Sequence, residues 1–235
     1  MQEWDAIGPQ QLRIGEIMDT FAFIGAKGGV GNTVSALLAA ASIRRSGREV
    51  ILADLTGDMG VLLGVAPDLP GITEWTATEE LSPGAVSALA VDVSPGISLL
   101  PLGNGVMDPS GLGTLWQVLA RDSRITIVDA GRGLRAFEKI QGNGVHTLLT
   151  MACCYQSMHH ARRVVGQDDV GSVIMLADNE RRALGPVDIE AALSRNADAV
   201  IPFDRAISRW ADSGLLLDRW AKAADRLDEL MLRLL

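Results

Sequence analysis

A glycine-rich turn between an apolar run and an alanine-rich stretch constrains the fold of this chain more than any other feature. Residues 21–33 read FAFIGAKGGVGNT, and the alanines and leucines of 36–41 follow. Glycines in such a turn let successive backbone N–H groups converge on phosphate oxygens, and a helix that follows adds the positive end of its dipole. The order predicts a strand, a phosphate-binding loop and a helix. The alternative is a tight turn that binds no ligand.

The loop departs at two positions from the G-x-x-x-x-G-K-[ST] motif of phosphate-binding loops. Ala26 stands at the place of the first glycine, and Asn32 stands at the place of the lysine that reaches the β- and γ-phosphates. Thr33 keeps the hydroxyl that can bind Mg²⁺, and another lysine, Lys27, lies earlier in the loop. The predicted nucleotide contacts in this segment are Lys27, Gly28, Gly29, Val30, Gly31, Asn32, Thr33 and Val34.

Short apolar runs rich in branched residues recur along the chain and alternate with stretches of helical periodicity. Because this rhythm is typical of βα units, we predict an α/β fold: an open, mainly parallel, twisted sheet of about seven to eight strands with helices on both faces. Residues 68–95 are predicted to form an irregular excursion with short helices. The predicted strands are 20–25, 49–52, 97–101, 125–129, 146–152, 172–177 and 199–202. The predicted helices are 32–45, 111–120, 156–165, 186–194 and 213–235.

Length and composition bound the possible functions. With 235 residues, of which 48% are hydrophobic, we predict a single domain over 19–235 after an N-terminal extension, 1–18. A net charge of −8 disfavours general binding to nucleic acid, so protein partners are expected. The adjacent Cys153 and Cys154 provide neither a disulfide framework nor a zinc site. Since the sequence has no signal peptide and no long apolar run, we expect a cytoplasmic protein.

The string from Lys27 to Thr33, KGGVGNT, resembles the deviant Walker A motif of the ParA/MinD family of dimerising ATPases, and the resemblance extends from about residue 18 to the end of the chain. It implies a P-loop NTPase fold of the MinD type, with ATP or ADP and Mg²⁺ as cofactors. It also implies a homodimer in which Lys27 acts in catalysis by reaching the phosphates of the partner subunit. Asn32 replaces the second lysine, which neutralises charge during phosphoryl transfer. We therefore expect an ATPase that is weak or inactive.

Two aspartates at the ends of predicted strands extend the resemblance. Asp54 closes the run VILAD and matches the family's aspartate that orients the attacking water, so it is a predicted catalytic residue. Thr56 stands where the family usually carries a further aspartate. Asp129 closes the run ITIVD, as in a Walker B motif, and would hold Mg²⁺ through water; a helix cap is the alternative. The predicted magnesium-site residues are Thr33, Asp54 and Asp129.

The last predicted strand ends near the position where the family binds adenine. Pro202 and Phe203 are predicted to contact the base, and the alternative is a turn that serves only packing. Asp178 and Asn179, after the preceding strand, are similar candidates for base recognition, against a helix-capping alternative.

The C-terminal segment, 213–235, carries an apolar stripe with interspersed acids and bases. Acids and bases are about equally frequent on its polar face, which weakens attraction to anionic lipid. We predict that the segment packs on the sheet or against a partner protein. Contact with a membrane is the less favoured alternative.

Further stretches resemble the TadZ/CpaE branch of the ParA/MinD family. They are 52–60, 70–75, 97–103, 201–208 and 212–216. This resemblance implies degenerate Walker motifs and a positional marker that recruits components of a Tad-type pilus or secretion machinery. It implies a cytoplasmic location, at a pole or septum through partners.

Three functional hypotheses follow. The first is a nucleotide-loaded dimer that marks a site and recruits proteins of a pilus, secretion or cell-division machinery with little turnover. The second is an active ATPase that positions a septum, plasmid or chromosome. The third is a regulator that no longer binds nucleotide. None of the three requires a specific nucleic-acid partner.

Overall fold

The computed structural model describes residues 20–78, 83–140, 144–166, 170–178 and 182–235. The predicted extension, 1–18, lies outside these ranges, as does Asn179. Within them, no helix combines the length and the apolar character needed to cross a membrane.

Eight strands form one sheet in the order β3-β4-β2-β5-β1-β6-β7-β8. All neighbouring pairs are parallel except β3 and β4, which form an antiparallel hairpin at one edge. The strands are β1 Thr20–Gly25, β2 Val50–Asp54, β3 Val91–Ser94, β4 Ile97–Leu100, β5 Ile125–Arg132, β6 His146–Ala152, β7 Val170–Ala177 and β8 Ala199–Pro202.

Helices connect the strands, and a 3₁₀ turn at Pro109–Gly111 precedes α5. The helices are α1 Asn32–Arg45, α2 Asp58–Leu62, α3 Ile72–Thr76, α4 Pro83–Leu89, α5 Leu112–Leu119, α6 Gly133–Ile140, α7 Tyr155–Val165, α8 Pro186–Leu193, α9 Arg205–Asp212, α10 Leu216–Ala223 and α11 Asp225–Leu234.

The sheet separates two apolar cores, one on each face. Successive side chains of a strand point to opposite faces, and in β1 Phe21 and Phe23 join one core whereas Ala22 and Ile24 join the other. The core with the two phenylalanines is covered by α1, α10 and α11, and the opposite core by α3, α5, α6, α7 and α8. The prediction of an open, mainly parallel sheet with helices on both faces is therefore confirmed.

The predicted elements differ from the structure in an edge strand and in several short helices. Strand β3 was not predicted, because it is a half-buried edge strand of four residues in which no side chain is fully buried. The predicted excursion over 68–95 therefore contains a strand besides short helices. Helices α6 and α9 were not predicted either, although Asp204 caps α9 by accepting a hydrogen bond from Ala206 N at 2.8 Å.

The C-terminal segment forms two helices rather than the single one predicted. Several of its apolar side chains are buried against α1 and β8, among them Leu216, Ala224 and Met231, whereas Leu215 and Leu232 are exposed. Asp228 of α11 also accepts a hydrogen bond from Ser42 Oγ of α1 at 2.6 Å and pairs with Arg45. Of the two predicted alternatives, packing on the sheet or against a partner protein, the structure shows the first, through α1 and β8.

Glu74 fixes the loop after β4 to α3. Its Oε2 accepts hydrogen bonds from Gly71 N at 2.7 Å and Thr73 Oγ1 at 3.0 Å. Its Oε1 accepts from Asn104 N at 2.8 Å and Gly105 N at 2.9 Å. Burial opposes ionisation of this carboxyl, but the hydrogen bonds outweigh burial and lower its pKa from 4.5 to about 2.

We expect Glu74→Gln to destabilise the folded protein at pH 7 by about 1–2 kcal/mol, because one acceptor oxygen and the charge are lost. Since the folded pKa is depressed, this stabilisation is present above the ordinary pKa and is lost as pH falls toward about 2. In urea unfolding, the difference in free energy of unfolding between the wild type and Glu74→Gln should therefore become smaller at low pH. The exposed Glu229→Gln is the matched control, and an equal loss in both variants would contradict the account.

Candidate nucleotide-binding site

The loop from Lys27 to Thr33 leads from the carboxyl end of β1 into α1. Gly29 and Gly31 have φ angles of 70° and 74°, in the left-handed region that glycine adopts without steric cost. Within the described part of the chain, no backbone amide of residues 27–33 donates a hydrogen bond to a protein group. Unpaired amides at the start of a long helix form a cradle suited to an anion.

Asn32 and Thr33 join the loop to the end of β5. Asn32 Nδ2 lies 2.8 Å from Asp129 Oδ1, 3.1 Å from Phe23 O and 3.4 Å from Gly131 O. Thr33 Oγ1 donates to Asp129 Oδ2 at 2.5 Å. Both oxygens of the Asp129 carboxylate are therefore held by the glycine loop. Asn32 Oδ1 is buried and has no hydrogen-bond partner among the described residues.

Asp129 is only 1% exposed, which makes its ionised form costly. Burial raises its pKa, the hydrogen bonds from Thr33, Gly131 and Asn32 partly offset this rise, and the negative charge of Asp54 adds to it. A buried carboxylate of this kind is stabilised by a cation. The geometry thus suits the predicted part of Asp129 in a magnesium site.

Asp54 ends β2 directly opposite Asp129 in the sheet, as the two predicted strand ends require. Its Oδ1 accepts hydrogen bonds from Thr56 N, Thr56 Oγ1 and Gly57 N at 2.8–2.9 Å, and its Oδ2 accepts from Gly60 N at 3.1 Å. The carboxylate is 1% exposed. Asp54 therefore holds the turn into α2, and its role toward water or metal stays a prediction.

A cavity of about 630 Å³ opens over the loop. Lys27 lies at its rim, where the ammonium donates to Gly28 O at 3.1 Å. The polar and charged side chains in its walls are Lys27, Asn32, Thr33, Thr56, Asp58, Asp129 and Arg132. Sequence reasoning did not single out Arg132, because only the folded chain brings the end of β5 to the loop.

A second cavity, of about 430 Å³, adjoins the first and shares Gly29, Val30, Gly31 and Val34 with it. Its walls are mostly apolar and include Leu38, Leu176, Ile201, Pro202 and Phe203, with Asp178 and Arg182 also in the lining. The predicted contacts Lys27 to Val34, Pro202 and Phe203 thus line one cavity or the other, as does the candidate Asp178, whereas Asn179 lies outside the described residues. An apolar slot beside an anion cradle matches the shape and chemistry of a nucleoside polyphosphate.

The donor set around Thr33 and Asp129 suits Mg²⁺ bound together with phosphate. Among the described residues no group of three or more histidine, cysteine or acidic side chains is arranged to hold a metal ion alone. Mg²⁺ commonly keeps several waters and binds through one or two protein oxygens plus phosphates. The hydroxyl of Thr33 and the carboxylate of Asp129 are oxygens of this kind.

No protein-family model matches the chain, and no curated protein matches its sequence. Solved structures do share its fold. The septum site-determining protein MinD of Pyrococcus horikoshii, complexed with Mg-ADP, matches with a TM-score of 0.74 and 17% identity over 90% of this chain and 94% of that chain.

Two other structures are similar to the same extent. A ParA family ATPase from Chlorobium tepidum has a TM-score of 0.72 and 18% identity, with 91% of this chain and 97% of that chain covered. A chain of the MinC:MinD cell division complex of Aquifex aeolicus has a TM-score of 0.73 and 19% identity, with 92% and 94% covered. The chain therefore shares the fold of these ParA and MinD structures.

Proposed function

We propose that this chain is a dimerising nucleotide-binding protein of the ParA/MinD type that binds ATP or ADP with Mg²⁺ and hydrolyses ATP weakly or not at all. The observation that carries the proposal is the run of unpaired amides over 27–33 in the wall of a 630 Å³ cavity beside an apolar slot. The Mg-ADP complex of the MinD that shares this fold supports the choice of ligand.

Each group of the site has a part in this proposal. The amides of the loop bind the phosphates, and Pro202 and Phe203 contact the base. The hydroxyl of Thr33 and the carboxylate of Asp129 would hold Mg²⁺, Asp129 through water. Mg²⁺, when bound, neutralises charge on the phosphates. Asp54 remains the residue proposed to orient the attacking water beside the metal, and it also holds the turn that carries Thr56.

Weak turnover follows from two residues. Asn32 supplies no positive charge, and its amide donors are directed to Asp129, Phe23 and Gly131. Preorganised positive charge at the transferring phosphoryl group is a large term in catalysis. Thr56 supplies no carboxylate where the family usually carries a further aspartate, and its hydroxyl lies 2.9 Å from Asp54 Oδ1. The lysine and the carboxylate that are absent at positions 32 and 56 would stabilise the transition state more than the bound nucleotide, so their absence lowers turnover more than affinity.

As the cellular role, we propose a homodimer that marks a position in the cytoplasm and recruits protein partners. Lys27, at the rim of the phosphate cavity, would contact the partner subunit's nucleotide. The stretches that resemble the TadZ/CpaE branch indicate that the recruited proteins are components of a Tad-type pilus or secretion machinery. The position marked would then be a pole or a septum. Complex formation by MinD with MinC in Aquifex aeolicus makes a cell-division partner the alternative.

Calorimetric titration with Mg·ATP, paired with a phosphate-release assay, tests the proposal. We expect saturable binding of one nucleotide per chain and phosphate release close to the buffer rate. We also expect a non-hydrolysable ATP analogue to shift the protein to a dimer in light scattering. Absence of binding would favour a regulator that has lost its nucleotide, and rapid phosphate release would refute the claim of weak turnover.

An active ATPase that positions a septum, plasmid or chromosome is the second candidate. It is favoured by Lys27, since a lysine remains in the wall of the phosphate cavity and supplies positive charge there. In that case Asn32→Lys would change turnover little.

A further inference from the structure

Arg132, the last residue of β5, lies against the glycine loop. It pairs with Gly25 of β1 across the sheet, directly before the loop begins. A methyl group built on Gly28 would lie 2.6 Å from Arg132 Nη1, so the guanidinium occupies the space above this glycine. Arg132 is exposed, and its guanidinium has no hydrogen-bond or ion-pair partner among the described residues.

The backbone around Arg132 is held in place by the loop itself. Gly131 and Gly133, on either side, have φ angles of 90° and 69°, so the chain turns sharply at this point. Gly131 N donates to Asp129 Oδ1 at 3.0 Å, and Asn32 Nδ2 lies 3.4 Å from Gly131 O. The residue that replaces the loop lysine therefore contacts the turn that carries Arg132.

The 630 Å³ cavity over the loop contains both acidic and basic side chains, and a bound polyphosphate would add negative charge. Its walls hold the carboxyl groups of Asp58 and Asp129 and the cations of Lys27 and Arg132. The ammonium of Lys27 already donates to the loop carbonyl of Gly28. Among the described residues no group accepts a hydrogen bond from the guanidinium of Arg132, and its planar fork suits two oxygens of a phosphate.

We propose that Arg132 is a phosphate-binding residue that takes over, within the same subunit, the part of the missing loop lysine in binding the ground-state polyphosphate, whereas the charge that the lysine adds in the transition state stays absent. Positive charge then reaches the polyphosphate from the end of β5 rather than from the loop. The inference rests on the proposed function, because it assigns a residue to the same nucleotide site. It predicts that Arg132 acts on the phosphates and leaves the nucleoside contacts unchanged.

The test is calorimetry of Arg132→Ala with Mg·ATP and, separately, with AMP. We expect affinity for ATP to fall about tenfold or more, as for the loss of charge-assisted bonds to phosphate, and affinity for AMP to change less than about twofold. Arg132→Lys keeps the charge without the fork and should be intermediate. Arg121→Ala is the matched control, since Arg121 is an exposed arginine that lines none of the cavities at the glycine loop.

A rescue experiment separates phosphate binding from a general effect on the loop. In an Asn32→Lys background, Arg132→Ala should lower ATP affinity less than about threefold, because the restored ammonium supplies the charge. Wild-type protein that binds ATP no more tightly than Arg132→Ala would overturn this inference alone. Equal losses for ATP and AMP would also overturn it. Wild-type protein that binds no ATP would overturn the proposed function and this inference with it.

Discussion

Asn32→Lys is expected to raise the rate of phosphate release from ATP by about 10²-fold, with a smaller gain in affinity. The ammonium would supply the charge that the transferring phosphoryl group requires, and this charge matters more in the transition state than in the bound ground state. The substitution also removes the contacts of the Asn32 amide with Phe23, Asp129 and Gly131, so a modest loss of stability is expected. Single-turnover phosphate release at saturating Mg·ATP measures the effect.

Asn32→Gln is the control for this experiment, because it changes the side-chain length and keeps a neutral amide. We expect its rate to match the wild type. A wild-type rate that is already high, with no gain from lysine, would support the active ATPase instead. A gain in Asn32→Gln as large as that in Asn32→Lys would show that charge is not the missing element.

Asp129→Asn is expected to abolish the stabilisation of the protein by Mg·ATP and to raise the stability of the ligand-free protein. Burial raises the pKa of Asp129, so the folded state favours the protonated carboxyl. That contribution is present below the ordinary pKa and is lost as pH rises through the raised value. At neutral pH the neutral amide removes the cost, and we expect Tm to rise by about 2–4 °C without ligand.

Thermal unfolding with and without Mg·ATP, at neutral and at acidic pH, measures both effects. The gain in Tm should shrink at acidic pH, where Asp129 of the wild type is already protonated. Asp58→Asn is the matched control, because Asp58 lines the same cavity but is exposed. If the Tm of Asp129→Asn still rises with Mg·ATP as in the wild type, Asp129 does not hold Mg²⁺ in the nucleotide site.

The glycine loop and its flanking elements could be predicted from the sequence to the residue. Strand β1 and helix α1 have the predicted bounds, because glycines, an apolar run and an alanine-rich stretch mark their ends locally. The alignment of Asp54 with Asp129 was also predictable, since parallel strands end at one edge. The apolar slot at Pro202 and Phe203 followed only from the resemblance to the ParA/MinD family.

Other features depend on contacts between distant parts of the chain. The position of Asp54 at the end of an apolar run predicted a site residue. The structure adds that its carboxylate accepts four hydrogen bonds from the turn that follows. Arg132 is one of many exposed arginines in the sequence, and pairing of β5 with β1 brings it to Gly28. The break between α10 and α11 at Ala224 has no glycine or proline to mark it. It follows from packing of both helices on α1.

A crystal structure with Mg²⁺ and a non-hydrolysable ATP analogue would decide whether the glycine loop binds nucleotide. We expect a triphosphate held by the amides of residues 28–33, Mg²⁺ on the hydroxyl of Thr33, and the adenine between Pro202, Phe203 and the loop. A loop closed by the protein's own side chains at saturating analogue, or a nucleotide bound at another surface, would contradict this expectation.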